Sequence, residues 1–267
     1  MRMWCSLNIV RLRMQPPLIP PTLINVVAIA ALTFTVACAS YEVLGHGAAC
    51  LLEGGRITLL TSVYFHCENA GVITDLAGPS ANLLLGSEAY VLLEKRDWSP
   101  NVRHVLVLTL AFNLFWLAGC MLVSAAANKS DFAYPLRVLA VNPPWLGRVM
   151  LGALGLLVYW FGMRITFKHA AEGTSLAVSY AVAGVISCGA ALFFVGSVAP
   201  AVGEAALESF GAAIGLLLLA GGRSRRLSLN SFSISPPSGY GWLGAGALAT
   251  IAFFLLLGRG LVVTGNA

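Results

Sequence analysis

Apolar residues fill the chain in long runs, separated by short polar, glycine-rich or proline-rich connections. A helix that crosses a membrane needs about 20 mostly apolar residues, because hydrocarbon offers no partner to backbone N–H and C=O groups. Seven runs have that character: roughly 23–52, 72–93, 102–127, 146–166, 176–199, 203–221 and 241–259. The sixth carries Glu204 and Glu208 near its start, where carboxylates suit the positive end of the helix dipole. Residues 55–66, GRITLLTSVYFH, break the pattern, and their β-branched and aromatic side chains after Gly54-Gly55 predict a strand. Residues 128–145 form the longest predicted loop, with Pro135, Pro143 and Pro144 as breakers, and residues 222–239 form a basic, Ser/Pro-rich linker. The expected fold is an all-α polytopic membrane protein, a single integral membrane domain over 1–267. It has about seven transmembrane helices and a short strand-like insertion after the first.

Composition supports that class. The chain is 58% hydrophobic and 10% charged, with a mean hydropathy of +0.83. Soluble domains run near 45–50% apolar and about 25% charged. A water-soluble globule, a disordered tail and a solvated coiled coil are excluded. The 16 Lys+Arg against 11 Asp+Glu give +5. The basic residues sit between the apolar runs, so they read as topology signals, and no nucleic-acid partner is implied. If all seven runs cross and the N-terminus is inside, the inner segments hold 11 of the basic residues and the outer segments 5, which favours that orientation.

Arg2, Arg11 and Arg13 precede the first run, and Ala37-Cys38-Ala39 resembles a signal cleavage site. The run from Leu23 to Leu52 is 30 residues, however, against about 7–15 for a signal core. The expectation is an uncleaved first transmembrane helix. The six cysteines form no C-x-x-C pair and read as small buried hydrophobes rather than metal thiolates or a disulfide framework.

Ionisable groups inside membrane spans are costly and mark function by default. In SYEVLGHGAACLLEGG, Glu42 and His46 are four residues apart, which in an α-helix puts both on one face. Tyr41, five residues from His46, should point elsewhere. Gly45 and Gly47 flank His46 and leave room for another backbone. In VITDLAGPSANLLLG, Pro79 interrupts the helix and Asn82 can supply a compensating bond or hold a substrate. Asp131 reads as a turn cap or as a carboxylate brought back to the first helix. His66 lies at the end of the strand-like stretch beside Cys67 and Glu68, in a polar interfacial loop or lining the site.

GHGAACLLEGGRI, followed by the strand-like stretch and then by LAGPSANLLL, resembles the site-2 protease family of intramembrane zinc metalloproteases. The resemblance covers roughly residues 35–135, with AGPSAN its most specific part, and leaves 136–267 as additional transmembrane helices. It implies zinc held by Glu42, His46 and Asp131, and catalysis by Glu42 with His66 as a substitute base. Gly78, Pro79 and Asn82 would contact substrate. The implied partner is a transmembrane or membrane-associated protein within the lipid bilayer, and the implied location is a bacterial inner (plasma) membrane. The family motif is H-E-x-x-H. Aligned on Gly45-His46, its first histidine becomes Glu42 and its glutamate Val43. Alternatively, Tyr41 replaces the histidine and Glu42 is the glutamate, with one extra residue before His46. Helical spacing favours Glu42 and His46 as co-ligands. The family's distal Asp-Gly is here Asp131-Phe132.

The implied reaction is metal-assisted peptide hydrolysis, with the substrate held extended by strand addition to residues 56–65. The alternatives are a catalytically degenerate relative that binds transmembrane segments without cutting them, and a proton-coupled transporter using Glu42, His46, Asp75 and Glu88. Orientation sets two expectations against each other. With the N-terminus inside, Glu42 lies 19 residues after Leu23, roughly 28 Å along the helix and toward the outer side. The resemblance implies a site toward the cytosol.

Overall fold

A computed structural model describes residues 22–139, 142–170, 173–223 and 240–262. Arg2, Arg11, Arg13 and most of the basic linker, with Arg225 and Arg226, lie outside the described residues. The chain runs α1 (Leu23–Ala39), a π-helical segment π1 (Ser40–Gly47), α2 (Ala48–Leu52), β1 (Arg56–Leu60), β2 (Phe65–Glu68), α3 (Val72–Lys95) and α4 (Pro100–Ala127). It continues through a short α5 (Ala133–Val138), α6 (Pro144–His169), α7 (Gly173–Ala191), α8 (Val198–Ala206), π2 (Leu207–Gly211) and α9 (Ile214–Arg223). It ends with α10 (Tyr240–Phe253), π3 (Phe254–Gly258) and β3 (Leu261–Val262).

Among the described residues, six helical stretches are long and apolar enough to cross a membrane: Leu23–Leu52, Pro100–Ala127, Pro144–His169, Gly173–Ala191, Val198–Gly222 and Tyr240–Gly258. The chain is thus an all-α, multi-pass membrane protein in class. The second expected span, 72–93, forms the 24-residue helix α3 but is not among those six. Asp75, Glu88, Glu94 and Lys95 dilute its apolar character. The predicted loop 128–145 contains α5, which starts only two residues after Asp131.

α4 lies at the centre, with Leu108, Leu110, Ala111 and Phe115 fully enclosed. Phe34 on α1 meets α4 edge-on at Phe112 and stacked at Trp116. Trp116 also stacks on Tyr41, their centroids 5.2 Å apart. This aromatic row carries the core packing up to π1.

The strand signal resolves into a hairpin, with β1 antiparallel to β2 (Arg56 opposite Glu68, Leu60 opposite Phe65). β3 adds to the other side of β1, Leu60 pairing with Leu261, so the order is β2-β1-β3. The stretch expected to offer one open edge is therefore split. β1 is central, and the outer side of β2 is an edge of the sheet. The cysteine reading also needs correction. Cys50 at the end of the first helical stretch and Cys67 on β2 form a disulfide. No short motif announces a pair 17 residues apart, and the hairpin fold-back alone brings them together. Cys38, Cys120 and Cys188 are free.

Candidate functional site

The π winding of residues 40–47 reorganises the expected site. In a π-helix the hydrogen bonds run i→i+5, and single π turns recur at functional sites. The residues one hydrogen-bonded turn apart are then Tyr41 and His46, rather than Glu42 and His46. The two rings meet edge to face with centroids 4.8 Å apart. Tyr41, expected to point elsewhere, is thus the neighbour of His46. The π turn thus takes up all six residues of Y-E-V-L-G-H between the two rings.

Asp131 completes the cluster. After α4, Asn128 (φ 54°) and Ser130 (φ 69°) both adopt the left-handed conformation, and these two kinks turn the chain back toward π1. Ser124 holds the turn: its carbonyl accepts from the Asn128 N–H at 3.0 Å and its hydroxyl from the Phe132 N–H at 3.3 Å. The carboxylate of Asp131 then accepts a hydrogen bond from the Tyr41 hydroxyl, which also lies 3.2 Å from Cys120 Sγ. Oδ1 of Asp131 faces His46 Nε2 at 3.6 Å. Asp131 thus lies against the first helical stretch.

His46 is oriented from behind. Its Nδ1 lies 2.7 Å from the Thr74 carbonyl, which can only accept, so Nδ1 carries the proton. In the neutral ring Nε2 then presents a lone pair to Asp131. At 3.6 Å this is no hydrogen bond. A proton or a cation shared between the two atoms would relieve the facing lone pairs. One face of the ring is covered by Phe65 of β2, with centroids 5.3 Å apart and planes 20° from parallel.

α3 supplies the floor. A Cβ on Gly78 would collide with the His46 imidazole, and a Cβ on Gly45 would come within 2.6 Å of Gly78 Cα and 2.8 Å of Ala77 O. The glycine beside His46 and the glycine of AGPSAN therefore interlock, which accounts for both. Pro79 is buried within α3. Asn82 is fully buried, and neither its Oδ1 nor its Nδ2 has a hydrogen-bond partner among the described residues.

The other expected residues are placed as follows. Glu42 is buried, with Oε2 unpartnered, within electrostatic reach of Asp131, Cys38 and Glu208. His66 is exposed on β2. Strand alternation sends Phe65 and Cys67 to one face and His66 to the other, so His66 is not brought to the cluster. Glu88 is exposed on α3, away from the residues with which a transport relay would need it. Outside the membrane-crossing stretches, Glu53 caps the start of α3 from 18 residues upstream. Its Oε2 accepts from the Gly71 N–H (3.1 Å), the Thr74 N–H (2.9 Å) and the Thr74 hydroxyl (2.5 Å). These bonds hold its carboxyl below the ordinary carboxylate value. Sequence reasoning missed Glu53, although EGG at the helix end followed by an α3 start without a capping side chain was a signal.

A catalytic zinc takes three protein ligands. His46 and Asp131 present two donors at a co-ligand spacing. The third position is Tyr41, whose hydroxyl donates to Asp131. Among the described residues no group of three or more His, Cys, Asp or Glu is placed to hold a metal ion. At the third position Tyr41 offers a phenol, which is not among the usual zinc donors. No family model, curated protein or solved structure matches the chain.

Proposed function

We propose that this chain is a site-2 protease-like protein of a bacterial inner (plasma) membrane that engages transmembrane or membrane-associated polypeptide without hydrolysing it. One observation carries the reading: a phenol, hydrogen-bonded to Asp131 and packed on His46, stands where the H-E-x-x-H motif of the resembled family has its first imidazole. Three further features support it. The interlocked Gly45 and Gly78 keep the peptidase-like scaffold close-packed. The outer side of β2 is a sheet edge beside the cluster, and extended peptides bind such edges through main-chain hydrogen bonds. Asn82 is buried with unanswered hydrogen-bonding capacity.

The competing reading is an active zinc peptidase. It is favoured by the facing His46 Nε2 and Asp131 Oδ1 and by Glu42 as a candidate base, a buried carboxylate whose Oε2 has no partner among the described residues. Metal analysis of the purified protein after equilibration with zinc separates the two. The expected result is far less than one zinc per chain, with photo-crosslinkers placed along β2 capturing membrane polypeptides that remain full length. One zinc per chain, together with metal-dependent cleavage of a captured polypeptide, would establish the peptidase instead.

A further inference from the structure

The bundle has two ends, and named contacts fix which residues share each. At one end Asp131, just past α4, meets His46, near the end of the first helical stretch. Glu53 caps the start of α3, and Arg148 near the start of α6 donates to the carbonyls of Ala125 and Ala126 at 2.7 and 2.6 Å. Tyr64 of the hairpin packs on Phe194, just past α7, and β3, after α10, pairs with β1. At the other end Glu94, closing α3, meets Lys168 and His169, closing α6, at 2.5 and 3.0 Å. His104 near the start of α4 lies 3.4 Å from Ser179 of α7.

The basic residues divide unequally between these ends. The site end holds Arg56, Lys129, Arg137, Arg148 and Arg259. Lys95, Arg96, Arg103, Arg164, Lys168 and Arg223 belong to the far end. In sequence Arg2, Arg11 and Arg13 precede α1, whose start lies at the far end, and Arg225 and Arg226 follow α9, whose end lies there. Cytoplasmic segments collect Lys and Arg, which puts the far end in the cytoplasm. The Cys50–Cys67 disulfide lies at the site end. Disulfides persist in oxidising compartments outside the cytosol and are rare within it. The two signals have different physical origins, charge retention during insertion and thiol redox chemistry, and they agree.

We infer that the Tyr41–His46–Asp131 cluster and its hairpin open on the extracytoplasmic side, and that the polypeptide they engage is presented from that compartment. This is opposite to the side that the family resemblance implies. The identity of the ligand as a polypeptide rests on the function proposed above, whereas the orientation does not.

The test is thiol labelling in intact cells. Lys129→Cys places an exposed thiol at the site end and Asp97→Cys one at the far end. A membrane-impermeant maleimide is expected to label Lys129→Cys, not Asp97→Cys, above the unsubstituted protein; after permeabilisation both should react. In the unsubstituted protein, Cys50 and Cys67 are expected to resist alkylation until a reductant is added. Labelling of Asp97→Cys instead of Lys129→Cys in intact cells would overturn the inference, and so would Cys50 and Cys67 recovered as free thiols from freshly alkylated cells. Neither readout involves metal or a binding partner. A failed orientation is therefore distinguishable from a failed function.

Discussion

Tyr41 and His46 face each other across one π turn, ring edge to ring face, with Asp131 bonded to the first and opposed to the second. In one of the two alignments that the resemblance allows, the phenol holds the place of the family's first imidazole. Tyr41→His should supply a third nitrogen or oxygen donor of the kind zinc accepts. Zinc content is expected to rise from well under one to about one per chain, and to fall again in Tyr41→His/Asp131→Ala. No gain in Tyr41→His would show that residue 41 does not occupy a ligand position. Tyr41→Phe removes the donor to Asp131 and keeps the ring stack on Trp116. Hydrogen bonds to charged groups contribute about 1.5–3 kcal/mol, and a loss of that order should appear on unfolding in detergent.

The Gly45–Gly78 contact yields a contrast between two similar substitutions. In Gly78→Ala the new methyl meets the His46 imidazole, a side chain. In Gly45→Ala it meets the backbone of Gly78 and Ala77, which cannot step aside. Overpacking of this kind costs about 1–3 kcal/mol. Combining each with His46→Ala should restore most of the loss for Gly78→Ala and none for Gly45→Ala. Equal rescue of both would mean that the helices separate as a whole, and that His46 is not the obstructing group.

The parts of this arrangement that follow from periodicity could be read in advance. The Leu23–Leu52 span was legible because apolar content alone sets membrane crossing, and the strand signal at 56–60 because β-branched residues cluster there. The glycines of Gly45-His46 and AGPSAN indicated a close approach, and the structure contains one. The π winding was not legible, since 3.6-residue spacing assigns Glu42 to His46. Only the extra residue in Y-E-V-L-G-H hinted that the hydrogen-bond pattern shifts. The return of Asp131 depends on left-handed backbone at Asn128 and Ser130, and for serine that conformation has little sequence signature. The disulfide follows from hairpin closure, a tertiary event that spacing does not encode.

Asn82 separates a binding role from a structural one. Its amide is buried with neither polar atom satisfied among the described residues, a situation that costs about 1–3 kcal/mol. Asn82→Leu, of similar size, should therefore leave thermal stability in detergent unchanged or raise it. If Asn82 helps to hold an extended polypeptide, the same substitution should reduce crosslinking from β2. A marked fall in stability would instead assign Asn82 to the fold.

Glu53 makes acid stability an indirect probe of the site, because Thr74, which it clamps, presents the carbonyl that orients His46. The hydrogen bond from the Thr74 hydroxyl is the largest cause holding the Glu53 carboxyl below its ordinary value of 4.5. The folded state thus binds this proton less readily than the unfolded state. The stabilisation is fully present above the ordinary value and is lost as pH falls through the lowered one. Glu53→Gln removes the charge and weakens the clamp. Its melting temperature in detergent should lie below that of the unsubstituted protein near neutral pH, and the two should converge once the glutamate is protonated. Thr74→Val removes the hydroxyl donor but keeps the backbone N–H, so it should give a smaller loss over the same pH window. A Glu53→Gln difference that persists unchanged at acid pH would mean that the carboxylate charge contributes nothing to the clamp.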